Sequence, residues 1–304
     1  MQPGAEATAL AAEALGASLP PLLVAAERVA MTVALGVHGR RRVGQGETFW
    51  QFRRYRPGDP AQRIDWRQSA RTDPLFVRET EWEAAESVWL WRDSSPSMDW
   101  TSRPGTETKR ARAELLLLAL AALLVRGGER VAELGRGLAP RGGRAAFARL
   151  ASDLLAADLP VSGNEGGGGT PPATRLPRHA RLVVFSDFLA APEEIEAMVR
   201  GFVAEGVKGH MVQILDPAEI DLPFSGRTRF EGLEGEGTLL AGRPEEMRAA
   251  YGAELARRQA ALADLARVAG WTFAIHRTDR RPETALLALH SALAGSPFAA
   301  PAEG

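Results

Sequence analysis

Apolar residues recur at helical spacing over residues 20–36, where Leu22, Leu23, Ala26, Val29, Ala30 and Val33 mark one face and Gly36 a stop. A weaker helical pattern covers residues 5–16. From residue 41 to 83 the period shortens. Thr48–Phe52 and Phe76–Thr80 read as strands, with a turn at Arg56-Pro57-Gly58-Asp59-Pro60 and a short helix over 62–70 between them. Beyond Glu86 compact apolar runs alternate with longer amphipathic ones. Strands are predicted at 87–91, 130–134, 181–185, 209–215 and 271–276; helices are predicted at 111–126, 143–158, from Pro192 onward, at 244–269 and at 282–293. Residues 225–242 form a short β excursion.

This rhythm predicts an α/β fold: a mostly parallel, Rossmann-like sheet with helices on both faces, preceded by N-terminal helices and a small arginine-rich β region. Three segments are expected: N-terminal helices (1–36), a β region packed on the core (37–84), and the sheet domain (85–295) with a flexible glycine-rich loop at 161–173. Ligands of such sheets sit beyond the carboxyl ends of the strands. Asp93 and Asp187 both fall there, each directly after an apolar run.

Composition narrows the chemistry. The chain has 304 residues, no cysteine and five scattered histidines, which removes disulfides, thiol catalysis and cysteine-ligated metals. His179, His210 and His276 read as structural. There is no G-x-x-x-x-G-K-[ST] and no G-x-S-x-G, so no nucleotide is expected and no serine-hydrolase nucleophile is evident. The net charge is −1, yet ten arginines face five acidic residues between Arg40 and Thr80. That asymmetry suits either an internal ion-pair network or an acidic partner, and nucleic-acid binding is not expected. Of the 37 lysines and arginines only two are lysines, Lys109 and Lys208. Neither a signal peptide nor a membrane span is evident, so a cytoplasmic chain is expected.

Asp93, Ser95 and Ser97 form a D-x-S-x-S spacing after a hydrophobic strand. One carboxylate and two hydroxyls are hard oxygen donors that suit Mg²⁺ or Mn²⁺, with Asp187 joining either as a ligand or behind one. The same residues equally suit a loop capped by bonds to backbone amides.

The downstream half resembles a von Willebrand factor type A domain, whose metal-ion-dependent adhesion site uses D-x-S-x-S. The upstream motifs are more diagnostic. Gly44-Gln-Gly-Glu-Thr-Phe49, Arg54-Tyr55-Arg-Pro-Gly58-Asp59, Ile64-Asp65-Trp66 and Ser69-Ala70-Arg71, followed by Asp93-Ser-Ser-Pro-Ser-Met98, are similar to domain of unknown function 58 (DUF58), a family of uncharacterised bacterial proteins. The resemblance implies a von Willebrand A-like fold and a non-enzymatic interaction or adaptor role beside a MoxR-type AAA+ ATPase. It also implies an adhesion-type metal site at Asp93, Ser95, Ser97 and Asp187. The threonine of the middle adhesion motif has no counterpart in Ala139–Arg144, where Arg144 instead brings a positive charge.

Arg144, Asp93 and Ser186 are therefore expected at a partner-binding surface. Arg56, Asp59, Asp65, Trp66 and Arg71 are expected to form a polar network in the β region, with the tryptophan buried, or else to touch a partner directly. The alternative function is a Mg²⁺-dependent phosphoryl-transfer hydrolase, which needs a general base that the sequence does not display.

Overall fold

The two apolar runs that end in aspartate are neighbouring strands at the centre of one parallel sheet. A computed structural model describes residues 21–38, 49–55, 64, 66–69, 75–80, 86–156, 169–235 and 237–293. These residues divide into two units: Val37–Ala85, and residues 1–36 together with 86–304.

In the smaller unit β1 (Phe49–Arg54) and β2 (Phe76–Thr80) pair antiparallel, with a register shift between Phe49 and Gln51. The pairing is extended by a bond from the Tyr55 amide to the Leu75 carbonyl, 2.8 Å. Between the strands lies the four-residue helix α2 (Trp66–Ser69). Ile64 and Ser69 take the buried positions, and the Phe76 amide donates to the Ser69 hydroxyl at 2.9 Å. Trp66 departs from expectation: it is 63% exposed, whereas Ile64 and Ser69 are buried. Arg56, Asp59, Asp65 and Arg71 lie outside the described residues, as does the helical pattern at 5–16.

The larger unit begins with α1 (Pro21–His38), which buries Leu23, Ala26, Val29, Ala30 and Val33 on one stripe. Its sheet comprises β3 (Ser87–Arg92), β4 (Arg130–Glu133), β5 (Arg181–Ser186), β6 (Lys208–Leu215) and β9 (Thr272–Arg277), in the order β4-β3-β5-β6-β9. All four pairings are parallel. The intervening helices are α3 (Lys109–Arg126), α4 (Arg144–Ala156), α5 (Pro192–Ala204), α6 (Pro217–Asp221), α7 (Pro244–Val268) and α8 (Pro282–Leu293). A small hairpin, β7 (Thr228–Glu231) with β8 (Thr238–Ala241), precedes α7.

Side-chain alternation divides the core. Trp89 and Trp91 of β3 join Leu182 and Val184 of β5 against Ile195, Val199 and Phe202 of α5 and Leu262 and Ala266 of α7. The alternate positions, Val88, Leu90, Val183 and Phe185, are equally buried on the other face, which α3 covers between α4 and α8. Helix α3 is therefore buried almost all round. Arg112 and Glu114, the charges that interrupt its apolar run, find partners: Arg112 with Glu107, His276 and the Arg280 carbonyl, and Glu114 with Arg92 at 3.0 Å. Gly209 in β6 is fixed by the opposite core layer, since a Cβ there would lie 2.0 Å from the Trp271 ring.

Strand order reverses direction between β3 and β5, because β4 lies outside β3 while β6 and β9 continue beyond β5. Sheets of this kind open a crevice at that reversal, at the carboxyl ends of the two strands. Asp93 and Asp187 occupy it.

Candidate functional site

Parallel pairing of β3 with β5 sets Arg92 opposite Phe185, so Asp93 comes level with Ser186. The Asp93 amide donates to the Phe185 carbonyl at 2.8 Å, which carries the ladder one residue past the strand. The side chain then turns into a closed polar network. Its Oδ1 accepts from the Ser95 amide at 2.7 Å, and its Oδ2 accepts from the Ser186 hydroxyl at 2.7 Å. The Ser186 oxygen in turn accepts from the Phe188 amide at 2.8 Å. Phe188 has φ of 54°, a left-handed conformation costing about 1–2 kcal/mol, held here by core burial and by Arg258, which donates to its carbonyl.

Ser95 and Ser97 sit two residues apart around a single 3-10 turn, Pro96–Asp99, with their hydroxyls 3.1 Å from each other. Ser97 donates to Asp187 Oδ2 at 2.7 Å, while Asp187 Oδ1 accepts from the Leu189 amide. The four residues predicted as a metal set, Asp93, Ser95, Ser97 and Asp187, thus converge, and none is more than 5% exposed.

A cation already belongs to this cluster. The Lys109 ammonium donates to Asp187 Oδ2 at 2.8 Å and to Glu219 Oε1 at 2.5 Å. Lys109 is the first residue of α3, and it is 1% exposed. A lysine there opposes the helix dipole by roughly 0.3–1 kcal/mol, so its placement needs the two carboxylates. Glu219 is held by a capping box on α6: its Oε2 accepts from the Asp216 amide at 2.7 Å, and Asp216 accepts from the Ala218 amide at 2.8 Å. The other oxygen of Asp216 accepts from the Ser102 amide, tying the loop after the 3-10 turn to the end of β6.

Burial pushes the Asp93 carboxyl above its ordinary pKa, against the bonds from Ser186 and Ser95. Burial lowers the Lys109 value, but the Asp187 and Glu219 charges outweigh it, and the net shift is upward. Glu219 is also raised, because burial outweighs its share of that ammonium. The two directions are compatible: one lysine gains from two carboxylates, whereas Glu219 has only a share of one ammonium.

The divalent ion implied by the adhesion-site resemblance does not fit beside this lysine. Mg²⁺ requires near-octahedral oxygen ligands at about 2.1 Å and retains several waters, while these oxygens are dehydrated and bonded to one another. An ion on Asp187 would have to share Oδ2 with the ammonium and the Ser97 hydroxyl, and the like charge opposes it.

The partner-surface residues are redistributed. Asp93 and Ser186 are fully buried and bonded to each other, so they support the surface from below rather than touch a partner. Arg144 is exposed but lies elsewhere. Arg141 bridges antiparallel to Val131, and Gly142 packs against Glu129, so the chain folds back along β4 before α4 begins. Val131 is level with Val88, five residues before Asp93. At about 3.3 Å per residue that is roughly 16 Å from the cluster. Above the cluster the exposed residues are Ser94, Pro96 and Asp99 of the first loop and Leu189 of the loop after β5. Arg110 pairs with Asp99 and donates to the Ser94 carbonyl, which stiffens that rim. Gly169, at the end of the glycine-rich stretch, closes one side, since a Cβ there would lie 3.5 Å from Asp93 Oδ2.

Lys109 and Glu219 were not among the sequence candidates. Two signals pointed to them: lysine is scarce in this chain, and Asp216-Pro-Ala-Glu219 has capping-box spacing directly after a strand.

Uncharacterized proteins of Mycobacterium tuberculosis and Mycobacterium bovis are 29% identical over 202 residues, 63% of this chain; the match spans 62% of their length. Among solved structures, an aerotolerance-related membrane protein from Bacteroides fragilis is similar over 69% of this chain and all of that one, at 15% identity and a TM-score of 0.43. BatB from Bacteroides thetaiotaomicron is similar over 70% of this chain and all of that one, at 13% identity and a TM-score of 0.34. In the present chain no helix among the described residues is long and apolar enough to cross a membrane. The family model for the protein of unknown function DUF58 matches residues 51–261, well over half of the sequence, and the chain belongs to that family.

Proposed function

We propose that this chain is a non-enzymatic interaction module that binds a MoxR-type AAA+ ATPase through the loop face at the carboxyl end of its sheet. The supporting observation is that the polar groups at the strand ends are used up in holding the loops. Ser95, Ser97, Ser186, Asp93, Asp187 and Lys109 bond to one another beneath the surface. That arrangement fixes the shape of an exposed rim (Ser94, Pro96, Asp99 and Leu189) and needs no bridging metal. A rim stiffened from below suits recognition, since little ordering entropy is lost when a partner docks.

The test is direct binding of the purified chain to the MoxR-type ATPase of its own source. Wild type and a distant variant, Glu254→Ala, are expected to bind alike, and Leu189→Asp at the rim is expected to bind at least about tenfold more weakly, or about 1.4 kcal/mol. No binding by wild type would refute the partner. Mg²⁺-dependent phosphate-ester turnover abolished by Asp93→Ala would establish the hydrolase in its place.

A further inference from the structure

We infer that Lys109 is the resident cation of the Asp93–Ser95–Ser97–Asp187 cluster, so that this chain has exchanged a metal-dependent adhesion-type site for a permanently sealed, metal-independent one. The ammonium shares Asp187 Oδ2 with the Ser97 hydroxyl, at 2.8 Å and 2.7 Å. It reaches a second carboxylate, Glu219, on the short helix α6 that follows β6. Three strand ends, β3, β5 and β6, are thereby gathered around one positive charge, which is the structural work a bound cation does.

Residue choice agrees. The chain uses arginine for nearly every basic position, yet lysine stands at this buried point. An ammonium is a compact charge with three donors radiating from one atom, whereas a guanidinium is a larger planar fork whose donors are fixed in one plane. The lysine also begins α3, so the positive end of that helix adds to the same field. The inference is independent of the partner proposed above.

The two-lysine composition supplies a clean test on the unmodified chain. Amine acylation mapped by mass spectrometry should label exposed Lys208 readily and Lys109 at least about tenfold more slowly, in keeping with buried groups reacting through rare opening. Millimolar MgCl₂ or MnCl₂ should leave the ratio unchanged, because no ion enters to expel the ammonium. In parallel, Mn²⁺ titration followed by electron paramagnetic resonance should show no stoichiometric site in wild type, and Lys109→Ala should gain one. A metal-dependent rise in Lys109 labelling, or stoichiometric Mn²⁺ binding by wild type, would overturn the inference. Should Lys109→Ala fail to fold, the two wild-type measurements decide the matter alone.

Discussion

Replacing Lys109 by methionine keeps most of the side-chain volume and deletes the charge, so it isolates what the ammonium contributes. Asp187, 1% exposed, would retain only the Ser97 hydroxyl and the Leu189 amide. Glu219 would retain only the Asp216 amide. Removing one partner of a buried pair typically costs about 3–5 kcal/mol, chiefly because the remaining charge is left desolvated. For a unit of this size about 1 kcal/mol corresponds to roughly 2–4 °C, so Tm should fall by about 6–20 °C. Urea denaturation at pH 7 would measure the loss, with an unchanged slope showing that the same structure unfolds. A second arm checks the cause. Burial already raises the Glu219 pKa and Lys109→Met removes the charge that opposes it, so the deficit should shrink as pH falls through that raised value. A loss under about 1 kcal/mol, or one independent of pH, would refute a charged keystone at this position.

Other perturbations report on separate parts of the account. His210 and His276 are held neutral, with pKa lowered to about 4 by burial and by Arg181 and Arg112 respectively. Unfolded histidines protonate first as pH falls below about 6.5, so stability should decline between pH 6.5 and 4 by up to about 3 kcal/mol per histidine. A His276→Gln variant should show a shallower decline in the same urea series. Gly209→Ala should destabilise by on the order of 3 kcal/mol, because its methyl meets the Trp271 ring; thermal melts that match wild type would contradict that packing. Ser186→Ala leaves Asp93 with one fewer donor and should cost about 1.5–3 kcal/mol in chemical denaturation.

Much of the sheet was legible because its strands advertise themselves. Ser87–Arg92 and Arg181–Ser186 are apolar runs that stop at aspartate, and buried parallel strands have that appearance. Local spacing also sufficed for Asp93, Ser95 and Ser97, which one turn brings together. The scarcity of lysine marked Lys109 but not its partners, for a topological reason: 78 residues separate it from Asp187 and 110 from Glu219, and only the packed sheet makes them neighbours. Arg144 was misplaced because the bridge between Arg141 and Val131 is a backbone event that side-chain pattern does not encode. Trp66 looked like a core residue on hydrophobicity alone, but a four-residue helix presents few inward positions, and this residue faces out while Ile64 and Ser69 face in.

If a sealed polar cluster shapes a recognition rim at the sheet's carboxyl end, a docked partner must register on those loops. Hydrogen–deuterium exchange of the chain, alone and with the MoxR-type ATPase and its nucleotide, reads this residue by residue. Protection confined to residues 94–106 and 188–191, and absent in Leu189→Asp, is the expected footprint. Protection on α7 or the β7–β8 hairpin instead, with those loops unchanged, would contradict the account.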